Sequence, residues 1–491
     1  MSTKNSHISF KAINSVIGVA IMLLFPRLPI ALPEVTPVGM EILGIFIGTL
    51  YLWTTVDPVW ASLFSIFMVG ASSYAPMGQV LQNAFGAPVV EQMFFLMIVM
   101  NCLVHNKLTA YIGRFFLTLK INSGRPWVFT GMLMIGSMLM SAFIGPFSPI
   151  FLFWPVLYDI FHDIGMKKGD RYPTIMVILI AFAAMLGFPV PPYSGNSLAL
   201  LSNFSTITEN MGNKVVVNNA AYLLFALAYA VIATVVIILF CKYVLRPDVS
   251  KLKDLDVEKL KKNPLPPLTN NQKFMAVTFV LYILSMLLPS ILPKTGIIGF
   301  LSENSFGIAI GYTALLACVS LDKENGTTVL PFGKLMASFA WPTFFLCVSA
   351  ILLGNVLTNE STGISAFLNV ILGPVFGNMS SFTFGIVLMI ITVVLTNICN
   401  SLVIGMLLQP VIATFCAASG MNAAPLVVLL IIFVLSSAGI TPAASPYAAM
   451  LHGNRDWLNA KDVYKYATMF VVLELIIICV LGIPVAMAVF G

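Results

Sequence analysis

Polar and helix-breaking residues interrupt otherwise apolar sequence at two places, Ser141–Asn196 and Thr396–Asn454. In each place one apolar run is broken by small, polar or proline residues, and a second run is broken around a Pro-Tyr pair. Proline removes a backbone donor, and glycine permits unusual turns. In a membrane such breaks are tolerated only where the freed backbone faces protein or a water-filled cavity. The four segments are SAFIGPFSPIFLFWP (141–155), LGFPVPPYSGNSLAL (186–200), LTNICNSLVIGMLLQP (395–410) and SAGITPAASPYAAMLHGN (437–454).

The breaks carry side chains that can bind ions. Each break starts a new helix, whose first N–H groups lack intrahelical partners and whose dipole end is positive, which suits an anion. Carbonyl and hydroxyl oxygens near the same breaks suit a dehydrated sodium ion. The alternative is that these side chains only bond to neighbouring backbone, as Ser, Thr and Asn commonly do in membrane helices. The polar side chains concerned are Ser148, Ser194, Asn196, Asn397, Asn400, Ser401, Thr441 and Ser445.

Three dipeptides indicate that the chain is an internal duplication. They recur at a nearly constant distance along the sequence, and each lies beside a predicted helix end or break. Paired interruptions at corresponding places in two halves are the best sequence indication of a transporter binding site. The pairs are Phe94-Phe95 with Phe344-Phe345, Pro155-Val156 with Pro410-Val411, and Pro192-Tyr193 with Pro446-Tyr447.

The composition is that of an integral membrane protein. The chain has 491 residues, 59% of them hydrophobic and only 9% charged, with a mean hydropathy of +0.97, whereas soluble domains have roughly 25% charged residues. The seven cysteines lie within or at the ends of apolar runs, so we expect free thiols and neither disulfides nor zinc. We find no nucleic-acid motif, catalytic triad or Walker loop, and we expect no cofactor. The first span is expected to remain as a permanent helix, because no cleavable signal is evident.

A membrane span needs ~20 apolar residues, and the sequence predicts eleven spans plus two re-entrant hairpins. The segments 127–161 and about 382–418 are too long for one span and too short for two, so we predict hairpins that turn near Gly145-Pro146 and Cys399–Ser401. Leu108–Lys120 is predicted to be an interfacial amphipathic helix. The spans are 12–32, 38–55, 57–75, 88–106, 173–201, 217–245, 273–293, 304–321, 341–358, 424–452 and 464–489, of which the fifth is broken at 188–196 and the tenth at 440–447.

The charge distribution predicts the orientation. The chain divides into a first half (1–245), a polar linker (246–272) and a second half (273–491). With a cytoplasmic N-terminus, all but three of the 25 Lys and Arg residues lie in cytoplasmic segments, as the positive-inside rule requires. The exceptions are Arg27, Lys214 and Lys294. This orientation gives the two hairpins opposite directions, which is the inverted symmetry of alternating-access transporters. The net charge of +6 therefore reflects topology.

Glu474 lies at the centre of the last predicted span, YKYATMFVVLELIIICVLGIPV (464–485). A charged side chain at the bilayer centre costs ~2.5–3.5 kcal/mol on insertion scales, so it is a functional candidate by default. Two roles stay open from the sequence. Glu474 is either a proton carrier or a structural group that pairs with a Tyr or Lys across a helix contact.

At the residues of the breaks the chain resembles the divalent anion:sodium symporter family of the ion transporter superfamily. The resemblance covers span order, opposed hairpins, broken fifth and tenth spans and the linker. It is most specific in ITPAASPYAAMLHGN, in the following NAKDVYKYA, and in LTNICNSLVIGMLLQP. Family hairpin tips carry a Ser-Asn-Thr motif. Here the matching positions read Gly145-Pro146-Phe147 and Asn400-Ser401-Leu402, so the tips are divergent.

The resemblance implies the site residues. The first sodium site would draw on Ser141, Gly145, Pro146 and Ser194, and the second on Thr396, Cys399, Ser401 and Ala443. The second keeps more oxygen-bearing side chains. The substrate site would comprise Phe147, Ser148, Tyr193, Asn400, Ser401, Ser445 and Tyr447, to which we add Asn196 from the first break.

These observations predict an all-α polytopic protein of a cell inner membrane, surrounded by lipid. We expect a secondary active transporter, not an enzyme, that moves a small anion, a di- or tricarboxylate, by sodium symport or by exchange. The resemblance implies an elevator-type motion and a homodimer. A proton-coupled carrier that uses Glu474 and an intramembrane enzyme are the alternatives.

Overall fold

The computed structural model shows an all-helical protein. It describes residues 10–193, 195–254, 266–321, 326–364, 366–367, 370 and 379–491, and no β-strand occurs within these ranges. The first half contains α1 (Phe10–Leu24), α2 (Pro37–Thr55), α3 (Pro58–Ala71), α4 (Met77–Phe85), α5 (Pro88–His105), α6 (Leu108–Leu117), α7 (Pro126–Ile144), α8 (Phe147–Asp163), α9 (Arg171–Gly187), α10 (Gly195–Asn210) and α11 (Asn219–Phe240).

The second half contains the remaining described helices. They are α12 (Asn270–Ile291), α13 (Gly296–Glu303), α14 (Ile308–Cys318), α15 (Phe332–Ala337), α16 (Trp341–Leu357), α17 (Ser381–Thr396), α18 (Ser401–Ser419), α19 (Ala424–Ser436), α20 (Pro446–Gly453), α21 (Ala460–Ile477) and α22 (Ile483–Phe490).

Helix ends follow local capping chemistry. The carboxylate of Asp57 accepts the N–H groups of Val59 and Trp60 at the start of α3. Thr269 and Gln272 form a reciprocal capping box at the start of α12. Proline is the first helical residue of α2, α3, α5 and α7 and the second of α16, where its missing N–H removes no intrahelical hydrogen bond.

Each predicted span coincides at least in part with a described helix. Eight described helices are long and apolar enough to cross a membrane, and two of these, α7 and α18, belong to the hairpin segments. The other six supply the first, second, fourth, sixth, seventh and eleventh spans. The remaining five spans are built from shorter apolar helices, α3, α9, α14, α16 and α19. The chain is therefore an all-α polytopic membrane protein.

The same helix order appears twice. A long helix (α5 or α16) precedes an antiparallel helix pair (α7 and α8, or α17 and α18), a broken pair (α9 and α10, or α19 and α20) and a final helix (α11 or α21). Each final helix also passes into a π-helical turn, at Cys241–Leu245 and at Ile478–Gly482. This order agrees with the duplication inferred from the dipeptides.

Helices α9 and α19, which are the first helices of the two broken pairs, lie at the centre of the protein. Every residue from Tyr172 to Gly187 and all of α19 are buried, as expected of helices that are apolar on all sides. α9 packs against α7, and α19 packs against α17 and α18. At Gly187 a Cβ atom would lie 2.1 Å from the carbonyl oxygen of Met138, so a glycine is required for the approach of α7 to α9.

Candidate functional site

Hydrogen bonds of Asn397 connect the tip of the second hairpin, between α17 and α18, to the second break, between α19 and α20. This side chain is 5% exposed. Its Nδ2 donates to the carbonyls of Val393 (2.8 Å) and Ser437 (3.0 Å), and its Oδ1 accepts the N–H of Ile440 (2.9 Å). The hydroxyl of Thr441 donates to the Asn397 carbonyl (2.6 Å). These bonds satisfy backbone groups that the break removes from a helix.

Two serines complete the junction between α18 and α20. The backbone N–H of Ser401, at the start of α18, donates to the carbonyl of Ala444 (3.1 Å). The hydroxyl of Ser445 donates to the carbonyl of Ala438 (2.7 Å) and accepts the N–H of Ala448 (3.1 Å), so Ser445 caps α20. The tip and the break therefore form one hydrogen-bonded unit.

In each half, one side-chain hydroxyl on the first helix of the hairpin donates a hydrogen bond to the first helix of the broken pair. Ser141 on α7 donates to the carbonyl of Ala184 on α9 (2.5 Å), and Thr396 on α17 donates to the carbonyl of Val434 on α19 (3.2 Å). Both side chains are buried. A hydroxyl that donates one bond still has lone pairs that can accept a bond or coordinate a cation. The two repeats therefore place the same oxygen chemistry at equivalent positions.

Aromatic residues bring the two halves together. The ring of Phe147, at the first tip, meets the ring of Tyr447 edge-on, with centroids 4.8 Å apart. Phe188, at the first break, packs against the same tyrosine with centroids 5.9 Å apart. Gly145 adopts φ +119° at the first tip, which only glycine accommodates easily. The first tip thus contributes packing where the second contributes hydrogen bonds.

A cavity of about 130 Å³ lies at this meeting point, and we call it the small cavity. Residues from both repeats line it. The polar or aromatic residues among them are Trp53, Phe188, Asn196, Thr343, Asn400, Ser401 and Tyr447.

The electrostatics of the small cavity come from backbone. Four helices have their first turn there: α10 through Asn196, α16 through Thr343, α18 through Ser401, and α20 through Tyr447. None of its described lining residues is Asp, Glu, Lys or Arg. The first turns of four helices therefore line a space whose described lining has no ionised side chain, and the positive dipole ends of nearby helices favour an anion.

The predicted substrate residues divide into three groups. Asn196, Asn400, Ser401 and Tyr447 line the small cavity, and Phe147 contacts Tyr447 at its edge. Ser148 and Ser445 do not line it, and the Ser445 hydroxyl is occupied in capping. Tyr193 lines a different, larger cavity. The two tyrosines that the repeat relates are therefore separated.

The predicted sodium residues lie around the same breaks. Thr396 and Ser401 flank the second tip, with Cys399 between them and Ala443 in the facing break. The hydroxyl of Ser141 donates its hydrogen bond to α9, and Gly145 lies in the turn of the first hairpin. Pro146 is the N-cap residue of α8 and offers no side-chain cap bond. Ser194 lies outside the described residues.

Sequence reasoning missed Trp53 and Thr343, which reach the small cavity from the ends of α2 and α16. It also missed a buried amide pair. The Nδ2 of Asn203 donates to the Oε1 of Gln409 (2.6 Å), and Gln409 donates to the carbonyl of Leu200 (2.7 Å). Amide side chains in otherwise apolar spans were the available signal for this pair.

Glu474 is fully buried on α21, and neither carboxyl oxygen has a hydrogen-bond partner among the described residues. Tyr229 on α11 donates across 3.5 Å to the backbone carbonyl of Glu474, not to its carboxyl group. The hydroxyl of Ser436, the last residue of α19, lies within reach of the carboxyl group as a donor, although its geometry in this conformation is not that of a hydrogen bond. Tyr229 is therefore the tyrosine across the helix contact, and the choice between a structural role and a proton-carrier role for Glu474 stays a prediction.

The comparisons with known proteins support the fold. No family model and no curated protein matches the chain. Among solved structures, the chain is similar to the crystal structure of the YdaH transporter from Alcanivorax borkumensis, with a TM-score of 0.58 and 15% sequence identity, over 92% of this chain and 98% of that one. This likeness shows that the chain has the fold of a solved membrane transporter. The resemblance to divalent anion:sodium symporters stays a prediction.

Proposed function

We propose that the protein is a secondary active transporter for a small organic anion. The observation that carries this proposal is the convergence of four helix N-termini on a cavity whose described lining has no charged side chain. The positive ends of helix dipoles stabilise a carboxylate without a lysine or arginine. Discontinuous helices at the interface of two repeats hold the substrate in several transporter folds.

The size of the small cavity narrows the substrate class. About 130 Å³ is well below the roughly 300–1,000 Å³ of typical ligand pockets. It favours a dicarboxylate over a larger tricarboxylate. Asn196, Asn400 and Ser401 supply polar groups that would orient the solute, and Tyr447 supplies an aromatic wall.

Sodium coupling is proposed for the second tip. Thr396 and Ser401 bring hydroxyl oxygens there, and the adjacent break brings carbonyl oxygens. The first tip offers the hydroxyl of Ser141, but its Pro146 and Phe147 bring no polar side chain. If transport has no sodium dependence, exchange of one anion for another becomes the leading mechanism.

The transport cycle is proposed to be an elevator motion. The moving body would contain α7–α10 and α17–α20, because hydroxyl bonds join each hairpin arm to α9 or α19 and Asn397 ties the second tip to its break. The remaining helices would form the scaffold. A homodimer in a cell inner membrane, with a cytoplasmic N-terminus, belongs to the same proposal.

Purified protein in liposomes tests the function. We expect accumulation of a dicarboxylate such as succinate against its gradient when an inward sodium gradient or an internal dicarboxylate is supplied. A screen of thermal stabilisation by di- and tricarboxylates, sulfate and amino acids, with and without sodium, would identify the ligand. Chemical conversion of the solute would instead indicate an intramembrane enzyme, and flux that does not saturate would indicate a channel.

A second candidate is a proton-coupled carrier, and the observation that favours it is Glu474. A fully buried carboxyl group without a hydrogen-bond partner among the described residues is costly to maintain for structure alone. Its neighbour Ser436 ends the helix that leads into the second break. This position would let a proton on Glu474 influence the break.

A further inference from the structure

Two buried amide side chains hold α10 of the first half against α18 of the second. The Oε1 of Gln409, on α18, accepts a hydrogen bond from the Nδ2 of Asn203 (2.6 Å), and its Nε2 donates to the backbone carbonyl of Leu200 (2.7 Å). Gln409 therefore binds α10 at two points that lie about one helical turn apart. Gln409 is fully buried and Asn203 is 1% exposed. We call these two hydrogen bonds the amide clamp.

The amide clamp lies where three helices pack closely. A Cβ atom at Gly405 would lie 2.8 Å from the Cδ2 of Leu200, so α18 already touches α10 one turn before Gln409. On another side, a Cβ atom at Gly354 of α16 would lie 2.5 Å from the Oδ1 of Asn203. Helices α10, α16 and α18 also pack against one another in pairs. The clamp is therefore the polar centre of a three-helix contact.

The same three helices begin at the small cavity, which is lined by Asn196, Thr343 and Ser401 of their first turns. At about 1.5 Å per residue, the clamp lies about 10 Å along α10 from Asn196 and about 12 Å along α18 from Ser401. Helices α10 and α18 belong to different halves, and no short loop connects them. Their spacing across the small cavity therefore depends on contacts between side chains.

The amides of the clamp bring direction to a contact that apolar side chains could otherwise fill. Burying them is costly, because the Oδ1 of Asn203 has no hydrogen-bond partner among the described residues. Hydrogen bonds fix the register and distance of two helices, whereas apolar contacts permit sliding. The internal repeat does not account for the amides either. Gln409 precedes Pro410, and the corresponding Pro155 is preceded by Trp154.

We propose that Gln409 and Asn203 are positioning residues that set the distance between the first turns of α10 and α18, and thereby the chain length of the dicarboxylate that the small cavity accepts. This inference rests on the proposed function. Neither side chain belongs to the described lining of the small cavity, so both act through Asn196 and Ser401 and do not touch the solute. Without the clamp the two first turns can separate, and longer solutes should gain over shorter ones.

Competition between dicarboxylates in liposomes tests the inference. Uptake of labelled succinate would be inhibited with unlabelled malonate, succinate, glutarate or adipate, and the ratios of the half-inhibitory concentrations would be compared. Gln409→Met removes both bonds and keeps the side-chain length, and Asn203→Leu removes the bond between the amides. Gln409→Met should shift the succinate-to-glutarate ratio about fivefold in favour of glutarate, the factor for one net hydrogen bond. Asn203→Leu should shift it in the same direction, and the double variant no further than Gln409→Met, because the same interaction is lost.

The matched control is Thr392→Val, in α17. Thr392 is fully buried, and its hydroxyl donates to the carbonyl of Leu388 in the same helix (2.7 Å). The control should lower the midpoint of thermal unfolding and leave the concentration ratios unchanged, because this bond does not join two helices. Clamp variants that likewise lose stability with unchanged ratios would show a purely structural role and overturn the inference.

The outcomes separate the clamp from the transport function. A shift towards longer solutes in both clamp variants and not in the control supports the inference. Unchanged ratios in a protein that takes up succinate overturn it and leave the transport proposal standing. If no dicarboxylate is taken up by the unaltered protein or stabilises it against heat, the proposed function is wrong and the inference falls with it. If Gln409→Met does not fold, Asn203→Leu decides, because it leaves the bond to Leu200 in place.

Discussion

Asn397→Ala should destabilise the protein and its binding site together. The change removes three side-chain hydrogen bonds, to the carbonyls of Val393 and Ser437 and from the N–H of Ile440. The last two bonds cross from the hairpin tip to the break. Alanine is already present at the equivalent position of the first half, Ala142, so this residue type is compatible with such a tip.

The size of the effect follows from the bonds lost. Side-chain hydrogen bonds in a membrane protein are worth about 0.6 kcal/mol each on average, so three give about 2 kcal/mol. The Ser437 carbonyl and the Ile440 N–H would also lose a partner in a buried region, and each unsatisfied group costs about 1–3 kcal/mol. The two estimates describe the same lost interactions and are not added, so we expect a loss of about 2–6 kcal/mol in the free energy of unfolding.

Equilibrium unfolding in mixed micelles measures this loss, and uptake in liposomes measures its effect on the site. The matched control is Asn304→Ala. Asn304 is exposed, and its Nδ2 makes the same kind of bond to a carbonyl four residues earlier, that of Phe300 (2.9 Å). The control should change stability by less than about 0.5 kcal/mol. Equal stabilities for the two variants would refute the conclusion that the side chain of Asn397 holds the second hairpin tip to the second break.

Three further predictions concern other parts of the molecule. Glu474→Gln should fold and should retain uptake driven by a sodium or anion gradient; loss of pH-driven uptake with counterflow intact would instead identify Glu474 as a proton carrier. Gly354→Ala should lower the free energy of unfolding by about 1–3 kcal/mol, because the new Cβ would lie 2.5 Å from the Oδ1 of Asn203. The Asn203 side chain cannot easily move away, since its Nδ2 is hydrogen-bonded to Gln409. Ser401→Ala should raise the sodium concentration for half-maximal uptake more than Ser148→Ala does, since only Ser401 lines the small cavity; the opposite order would count against a cation site at the second tip.

Much of the fold was determined by local sequence. A described helix coincides at least in part with each predicted span, because a long apolar run in a membrane can satisfy its backbone only by forming a helix. Proline and glycine located the breaks, because their effect on backbone conformation is local. The helix ends at Gly187 and Ser436 follow from these signals. The repeated helix order was likewise visible in three dipeptides.

Only the tertiary structure decided which polar side chains meet. The sequence treats Tyr193 and Tyr447 as equivalents, yet the structure places them in different cavities. It also joins Asn203 to Gln409 across the two halves and leaves Glu474 without a partner among the described residues. Hydropathy is a property of one segment, whereas a hydrogen bond or a cavity depends on the distance and direction between side chains on separate helices. Those quantities are fixed only when the helices pack.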